Sequence, residues 1–289
     1  MRFVSYNIQY GTGKDGRVDL DRIAAEIGEA DVIALQEVDR FWTRSGKLDQ
    51  AAEIAARFAD FHWAFGAGCD VDASFRDTTG RLVNRRRQFG NMLLARTPIM
   101  SCRNHLLPKL GLVEQLGIQR SALEGVIATR FGPIRVYAVH LGHAAAPERL
   151  KQIERLREIV ASAPLAGGVW SGRNYGPEWE PDGPPPPMPD SAVLLGDFNC
   201  TPDSAEYELL CGAVEPHYGR LSTLDGLMDC WTAAGNELDA GPTQVAKAGP
   251  ARVDYALATP DLADKVTAMT VDEAARGSDH QPIRVEIAL

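Results

Sequence analysis

Val193-Leu194-Leu195-Gly196-Asp197-Phe198-Asn199 is the stretch whose reading decides the fold. A short run of branched apolar residues bounded by turn formers reads as a buried strand, and here an acid and an amide follow where that strand leaves the core. The pattern recurs along the chain. Arg2-Phe3-Val4 leads into Ser5-Tyr6-Asn7, Val32-Ile33-Ala34-Leu35 into Gln36-Glu37, and Val136-Tyr137-Ala138-Val139 into His140. The chain closes with Asp254-Tyr255 and Ser278-Asp279-His280. Strand ends are where a rigid sheet presents chemistry. Neither packing nor solubility calls for acids, amides and histidines at that recurring place, whereas a cation-binding hydrolytic centre does.

Between these strand ends the chain alternates strand and helix. Strands are expected at residues 2–8, 31–37, 61–65, 88–95, 121–131, 134–140, 192–197, 253–258 and 282–288. Asp19 can cap a helix through Glu29 with Leu20, Ile23, Ala24 and Ile27 on one face, and Asp49 can cap another through Phe58. Pro147 opens the clearest helix, in which Leu150, Ile153, Leu156, Ile159 and Val160 recur at helical spacing. Many strands alternate or are apolar throughout, and helices alone cannot cover every face. An α/β architecture of two packed sheets with helices outside is therefore expected. No internal repeat is evident.

Composition is that of an ordinary globular chain, with 45% hydrophobic and 24% charged residues. The 289 residues fit one large or two ordinary domains, and site residues drawn from both termini favour a single domain over 1–289. No apolar stretch approaches the roughly 20 residues that span a bilayer, and the first strand begins at Arg2, so a cytoplasmic protein is expected. Five cysteines without a C-x-x-C pair argue against a disulfide framework and against a zinc cage. The net charge of -9 weighs against a protein whose main task is gripping duplex nucleic acid. A local basic patch, Arg81, Arg85, Arg86 and Arg87, precedes the Phe89 strand, and Arg85 and Arg87 are candidates for recruiting a phosphate. Gly11-Thr12-Gly13-Lys14-Asp15-Gly16 spells a dinucleotide-binding fingerprint, but the helical period begins only near Val18, too late for glycines that should open the helix.

Taken together, Asn7, Gln36-Glu37, His140, Gly196-Asp197-Phe198-Asn199, Asp254-Tyr255 and Ser278-Asp279-His280 resemble the endonuclease/exonuclease/phosphatase superfamily, in its order and over nearly the whole chain. The resemblance implies a four-layer α/β sandwich and metal-dependent phosphoester hydrolysis. It also implies that the strand at Phe89 to Arg96 places an amide, Asn91, near the substrate phosphate. Magnesium wants hard oxygens in near-octahedral geometry and keeps several waters, so Glu37 is the first choice of ligand, with Mn2+ an alternative ion. Asn7 and Asp279 complete the protein's share, and the resemblance implies the same three. Asp197 is placed to orient or deprotonate a water, and Asn199, two residues on, faces the same way. Asp254 and His280 read as a carboxylate and imidazole pair, with His280 either general base or protonated phosphate clamp. His140 is assigned to phosphate binding, while His62, His105, His143 and His217 receive structural roles.

The expected activity is hydrolysis of phosphate esters, as phosphodiesterase or phosphatase, by direct attack of water. A soluble small or headgroup-like ester and a monomeric enzyme are expected; action on nucleic acid is the disfavoured alternative. An inactive binding scaffold is argued against by the intact set of acids, amides and histidines. One insertion, 167–189, carries Trp170, Tyr175, Trp179 and a run of four prolines, and feeds into the strand ending at Asp197. It is a candidate wall opposite Arg85 and Arg87 that narrows the cleft.

Overall fold

The computed structural model describes residues 1–172, 185–246 and 249–289. Two six-stranded sheets are built from twelve strands among the described residues. In chain order these are β1 (Arg2–Asn7), β2 (Val32–Arg40), β3 (His62–Asp72), β4 (Arg86–Ala95), β5 (Ile99–Leu106), β6 (Ser121–Ile127), β7 (Ile134–His140), β8 (Ala192–Asp197), β9 (Met228–Asp229), β10 (Asp254–Ala258), β11 (Val266–Val271) and β12 (Ile283–Ile287). The first sheet runs β11-β12-β1-β2-β4-β3 and the second β9-β10-β8-β7-β6-β5. Helices α1 (Leu20–Ile27), α2 (Gln50–Arg57), α3 (Ala146–Ala166) and α4 (Ala205–Cys211) cover the outer faces. The expected four-layer sandwich is the observed one.

Side-chain parity explains the layering. On β1 and β2, Phe3, Val32 and Ala34 point between the sheets, while Val4, Ile33 and Leu35 point out against Leu20, Ile23, Ile27, Ala51 and Ile54 of α1 and α2. On β7 and β8, Val136, Ala138, Val193 and Leu195 point in, and Tyr137, Val139 and Leu194 point out against Ile153 and Leu156 of α3. Both faces are buried, so these strands read as continuous apolar runs. Asp19 and Asp49 cap α1 and α2 by accepting the Arg22 and Ala52 amides, as expected. Gly11 to Gly16 form a bridged turn before α1, so the dinucleotide reading is rejected on geometry as well. Strands β5, β9 and β11 were not expected: they are sheet edges, half-exposed or only two residues long, and lack the apolar run that marks a central strand.

The two sheets share one plan. In each, two parallel neighbours joined through a helix, β1-α1-β2 and β7-α3-β8, are flanked by antiparallel strands. This repeat of topology leaves no repeat of sequence. It brings the carboxyl ends of both parallel pairs to one end of the sandwich, which is where ligands bind in open α/β sheets. The same crossover fixes the stems of the insertion. Asp190 and Ser191 bond through their carbonyls to Arg135 near the start of β7, at the opposite end of the sheet from His140 and Asp197. The expected wall is thus not anchored at the site by its described stems; residues 173–184, including Tyr175 and Trp179, lie outside the described residues.

Asn91 was expected near a bound phosphate and lies elsewhere. It points between the sheets, 1% exposed, and its amide nitrogen donates to the Ser121 and Ala138 carbonyls at 2.8 and 3.1 Å. It ties β4 to the facing sheet. Asn91→Leu leaves two buried carbonyls short of a donor and should cost about 1–3 kcal/mol. Urea unfolding should show a lower midpoint at unchanged slope; an unchanged midpoint would mean that the tie carries no stability.

Candidate active site

Four inward positions lie one step beyond the apolar pairs that close the core: Asn7 on β1, His140 on β7, Asp197 on β8 and Asp254 on β10. Each continues the inward parity of its strand, so the polar cluster is the end of the inter-sheet core. Glu37 would by the same parity face α2. A bulge between Leu35 and Val38 puts Glu37 in the left-handed region at φ 61° and turns its side chain to the cleft. The cavity holds about 280 Å³ and is lined by Glu37, His140, Asp197, Asn199, Asp279 and His280, together with Gln9, Tyr10, Arg44, Phe89, Ile118, Arg120, His143 and Gln244. A larger hollow of about 550 Å³ beside Met1, Arg2 and Glu286 has no comparable convergence of acids, amides and imidazoles.

Asp197 is buried at the centre. Its Oδ2 accepts from Asn7 Nδ2 at 3.0 Å and lies 3.3 Å from His140 Nε2, and its Oδ1 accepts the Asn199 amide at 2.9 Å. Burial alone would raise its pKa, but His280, His140 and Asn7 together hold the carboxyl well below the usual range. Asn7 turns its nitrogen to Asp197 and accepts the Gln9 amide on its oxygen at 3.1 Å. In this arrangement its oxygen is already engaged.

Arg120 settles the tautomer of His140. A guanidinium can only donate, and Arg120 lies 3.0 Å from His140 Nδ1 and 3.0 Å from His143 Nδ1. Both Nδ1 atoms therefore carry lone pairs, and the His140 proton sits on Nε2, facing Asp197 and, at 3.9 Å, Glu37. Burial and the Arg120 charge push His140 down to about 4, so it is neutral at pH 7. His143, expected to be structural, lines the cleft instead. Neither Arg120 nor Arg44 was singled out from sequence. Arg120 immediately precedes β6 and so obeys the strand-end rule at an amino end, which antiparallel pairing brings to the same edge.

His280 and Asp254 form the expected pair, Nδ1 to Oδ2 at 2.8 Å. On the other side, His280 Nε2 lies 2.8 Å from Gln244 Nε2 and 3.5 Å from Asn7 Nδ2, a geometry for a neutral ring. The surrounding charge says otherwise. Burial would lower its pKa, but Asp254 and Asp197 outweigh that and push it up to about 10. Charge decides, because the carboxylates stay put whichever way the Gln244 amide is turned, and a half-turn offers Nε2–H an oxygen. Asp254 is pushed up to about 6 by burial, against the pull of His280, and its Oδ1 is buried with no hydrogen-bond partner among the described residues.

Burial pushes Glu37 up to about 7, with Arg120 and His280 opposing and Asp197 and Asp279 reinforcing. Its carboxylate has no hydrogen bond among the described residues, and 21% of the side chain stays open. Asp279 is exposed at the rim, and among the described residues its side chain bonds only the Ser278 hydroxyl, at 3.3 Å. Arg85 and Arg87 lie outside the cavity lining, stacked on Phe41, Phe75 and Trp42.

Glu37 gives a signed prediction. Its folded pKa lies above the unfolded value, so the folded state binds more protons between about pH 4.5 and 7, and stability falls as pH rises through that window. Glu37→Gln removes that penalty. In chelator at pH 8 the variant should be more stable than the parent by about 1–3 kcal/mol, and the gain should shrink below pH 5. Thermal unfolding across pH measures it; equal stability at pH 8 would contradict the assignment.

No curated protein matches the chain in sequence. Among solved structures, an endonuclease/exonuclease/phosphatase family protein from Leptotrichia buccalis superposes with TM-score 0.65 at 18% identity over 100% of both chains. A mannosyl-6-phosphatase from Bacteroides thetaiotaomicron gives 0.61 at 18% over 100% of both, and a 3' phosphatase from Neisseria, bound to a product DNA hairpin, gives 0.55 at 17% over 100% of both. At such identities these likenesses speak for the fold. Residues 4–280 match the sequence model of the Endonuclease/Exonuclease/phosphatase family, a span that takes in the strand-end motifs from Asn7 to His280. With the sandwich and the motif order in agreement, the chain belongs to that family, whose members hydrolyse phosphoester bonds.

Proposed function

We propose that the protein is a divalent-cation-dependent hydrolase of soluble phosphate esters in which water attacks phosphorus directly, without a covalent intermediate. The observation that carries this is the cleft itself, where free carboxylates, a hydrogen-bonded acid and imidazole pair and two arginines converge from the ends of both sheets. The mannosyl-6-phosphatase and the 3' phosphatase among the structural neighbours favour a phosphomonoester.

The donor set fits a hard cation. Glu37, Asp197, Asp254 and Asp279 crowd one site, and burial raises the pKa of Glu37 and of Asp254, a cost to their charged forms that a bound cation offsets. One oxygen or nitrogen from each of Asp197, Asp254 and His280 lies within 4.8 Å of the others, so these also form a possible ligand group. Their lone pairs are mostly taken by Asn7, Asn199, His140 and one another. Glu37 and Asp279 keep theirs, and we assign the cation, Mg2+ or Mn2+, to these two, with Asn7 contributing through water. When bound, such a cation neutralises charge on the phosphoryl and leaving oxygens.

The remaining steps belong to side chains. Asp197, held ionised, is a weak base and orients the water, and Asn199 beside it holds water or a phosphoryl oxygen. Protonated His280 donates to the phosphoryl oxygen, kept in place by Asp254, while Arg120 supplies fixed positive charge. His140 serves Asp197 rather than the phosphate, because its one N–H faces the carboxylate.

Mg2+ or Mn2+ should restore hydrolysis of a chromogenic phosphate ester after chelation, with affinity weakening as pH falls through about 7 and Glu37 takes up its proton. Full turnover in a metal-stripped sample would end this mechanism. If Asp254 and His280 act as one unit, each alanine variant should lose about 10²–10⁴ in rate and the double variant little more. Losses that multiply would show two independent roles.

A further inference from the structure

Beyond the catalytic groups the cleft continues along one strand face. Phe89 and Arg87 alternate on β4 and so point the same way, and Arg85 immediately precedes the strand. Phe89 lines the cleft, which puts Arg87 about 7 Å farther along the strand and Arg85 beyond it. Three arginines nearby are paired with acids: Arg40 with Asp49 at 2.6 Å, Arg44 with Asp39 at 2.9 Å and Arg86 with Asp70 at 2.8 Å. Arg85 and Arg87 have neither an acid partner nor a side-chain hydrogen bond among the described residues, and Arg87 Nε is buried without one.

Rings hold them instead. The Arg85 guanidinium carbon stands 4.9 Å from the Phe41 centroid and 4.7 Å from that of Phe75, and Arg87 stands 5.4 Å from Trp42. Trp42 also carries Arg44 at 5.0 Å, which covers Tyr10 at 4.2 Å, so the row runs unbroken into the cleft. A stacked guanidinium uses its face and keeps its in-plane N–H donors, which makes it ordered yet unspent. Phe41 is itself held at φ 62°, a conformation costly for a bulky residue and usual where function over-determines the backbone.

We propose that Arg85 and Arg87 form a second anion subsite, so that the substrate is a soluble phosphoester bearing a further phosphate-like group on the part that is not hydrolysed. This rests on the cleft being the hydrolytic site. Two guanidiniums without acid partners in a chain of net charge -9 bind an anion by paired, charge-assisted hydrogen bonds. Their distance from Phe89 selects a group set well apart from the scissile phosphate.

Two separable measurements test it. Calorimetric titration with non-hydrolysable alkane-α,ω-bisphosphonates of increasing spacer length should show affinity rising to an optimum, at least about 10-fold above the alkyl monophosphonate of equal length. In the Arg85→Gln/Arg87→Gln protein that advantage should fall to within about 2-fold. Arg85→Lys/Arg87→Lys, which keeps charge but loses the planar fork, should retain part of it. Equal affinity for the two ligand series in the parent, or an advantage that survives the glutamine variant, overturns the subsite whatever the protein hydrolyses. Turnover of the alkyl monophosphates with magnesium tests the hydrolytic reading separately. A dependence on Arg85 and Arg87 seen only with single-stranded oligonucleotides would overturn the choice of a small ester.

Discussion

Asp197 must remain charged inside the sandwich, and much of the site exists to allow it. A carboxylate out of water costs several kcal/mol unless it is paired and hydrogen-bonded. Its partners come from both sheets: Asn7 from β1, His140 from β7 and His280 from the segment before β12, with the Asn199 amide completing the set. Because these donors come from both sheets, the acid keeps its charge while buried only when the two sheets stack in their native register. Packing of the apolar core and charge at the site are thus one constraint seen from two ends.

The price of that arrangement appears in the backbone. Six residues other than glycine adopt positive φ among the described residues, and four of them, Gln9, Tyr10, Glu37 and Asn199, line the cleft. Phe41 begins the aromatic row beside it, and Lys47 belongs to a nearby turn. Each such conformation costs on the order of 1–3 kcal/mol. Their clustering follows from geometry, because a strand that simply continues would send Glu37 under α2. A bulge or sharp turn is the means by which a residue of the wrong parity reaches the inter-sheet face.

Burial and fixed charge together set protonation at this end of the molecule. Burial, reinforced by the Arg120 charge, holds His140 neutral, and Arg120 fixes its tautomer by geometry, while Asp254 and Asp197 push His280 the other way. Two imidazoles in one cavity therefore carry different charges, one arranging a carboxylate and the other free to meet an anion. Farther out, arginines stacked on rings rather than paired with acids extend the positive field along β4.

By itself the sequence determined which strands form the centre of each sheet and which chemistry stands at their ends. Both are local: Val193 to Leu195 is buried on both faces, and Asp197, Asn199, Asp254 and His280 follow or precede such runs at fixed spacing. The three-dimensional packing decided where those groups point and what they touch. No local pattern shows that Asn91 faces a neighbouring sheet rather than a substrate, or that a bulge re-aims Glu37. The same holds for Arg120, which reaches His140 from another strand, and for the insertion, whose stems belong to the far end of the sheet. The period of a strand is written in its own residues, whereas a side chain's partner across two packed sheets depends on register, twist and crossover, which the whole chain settles together.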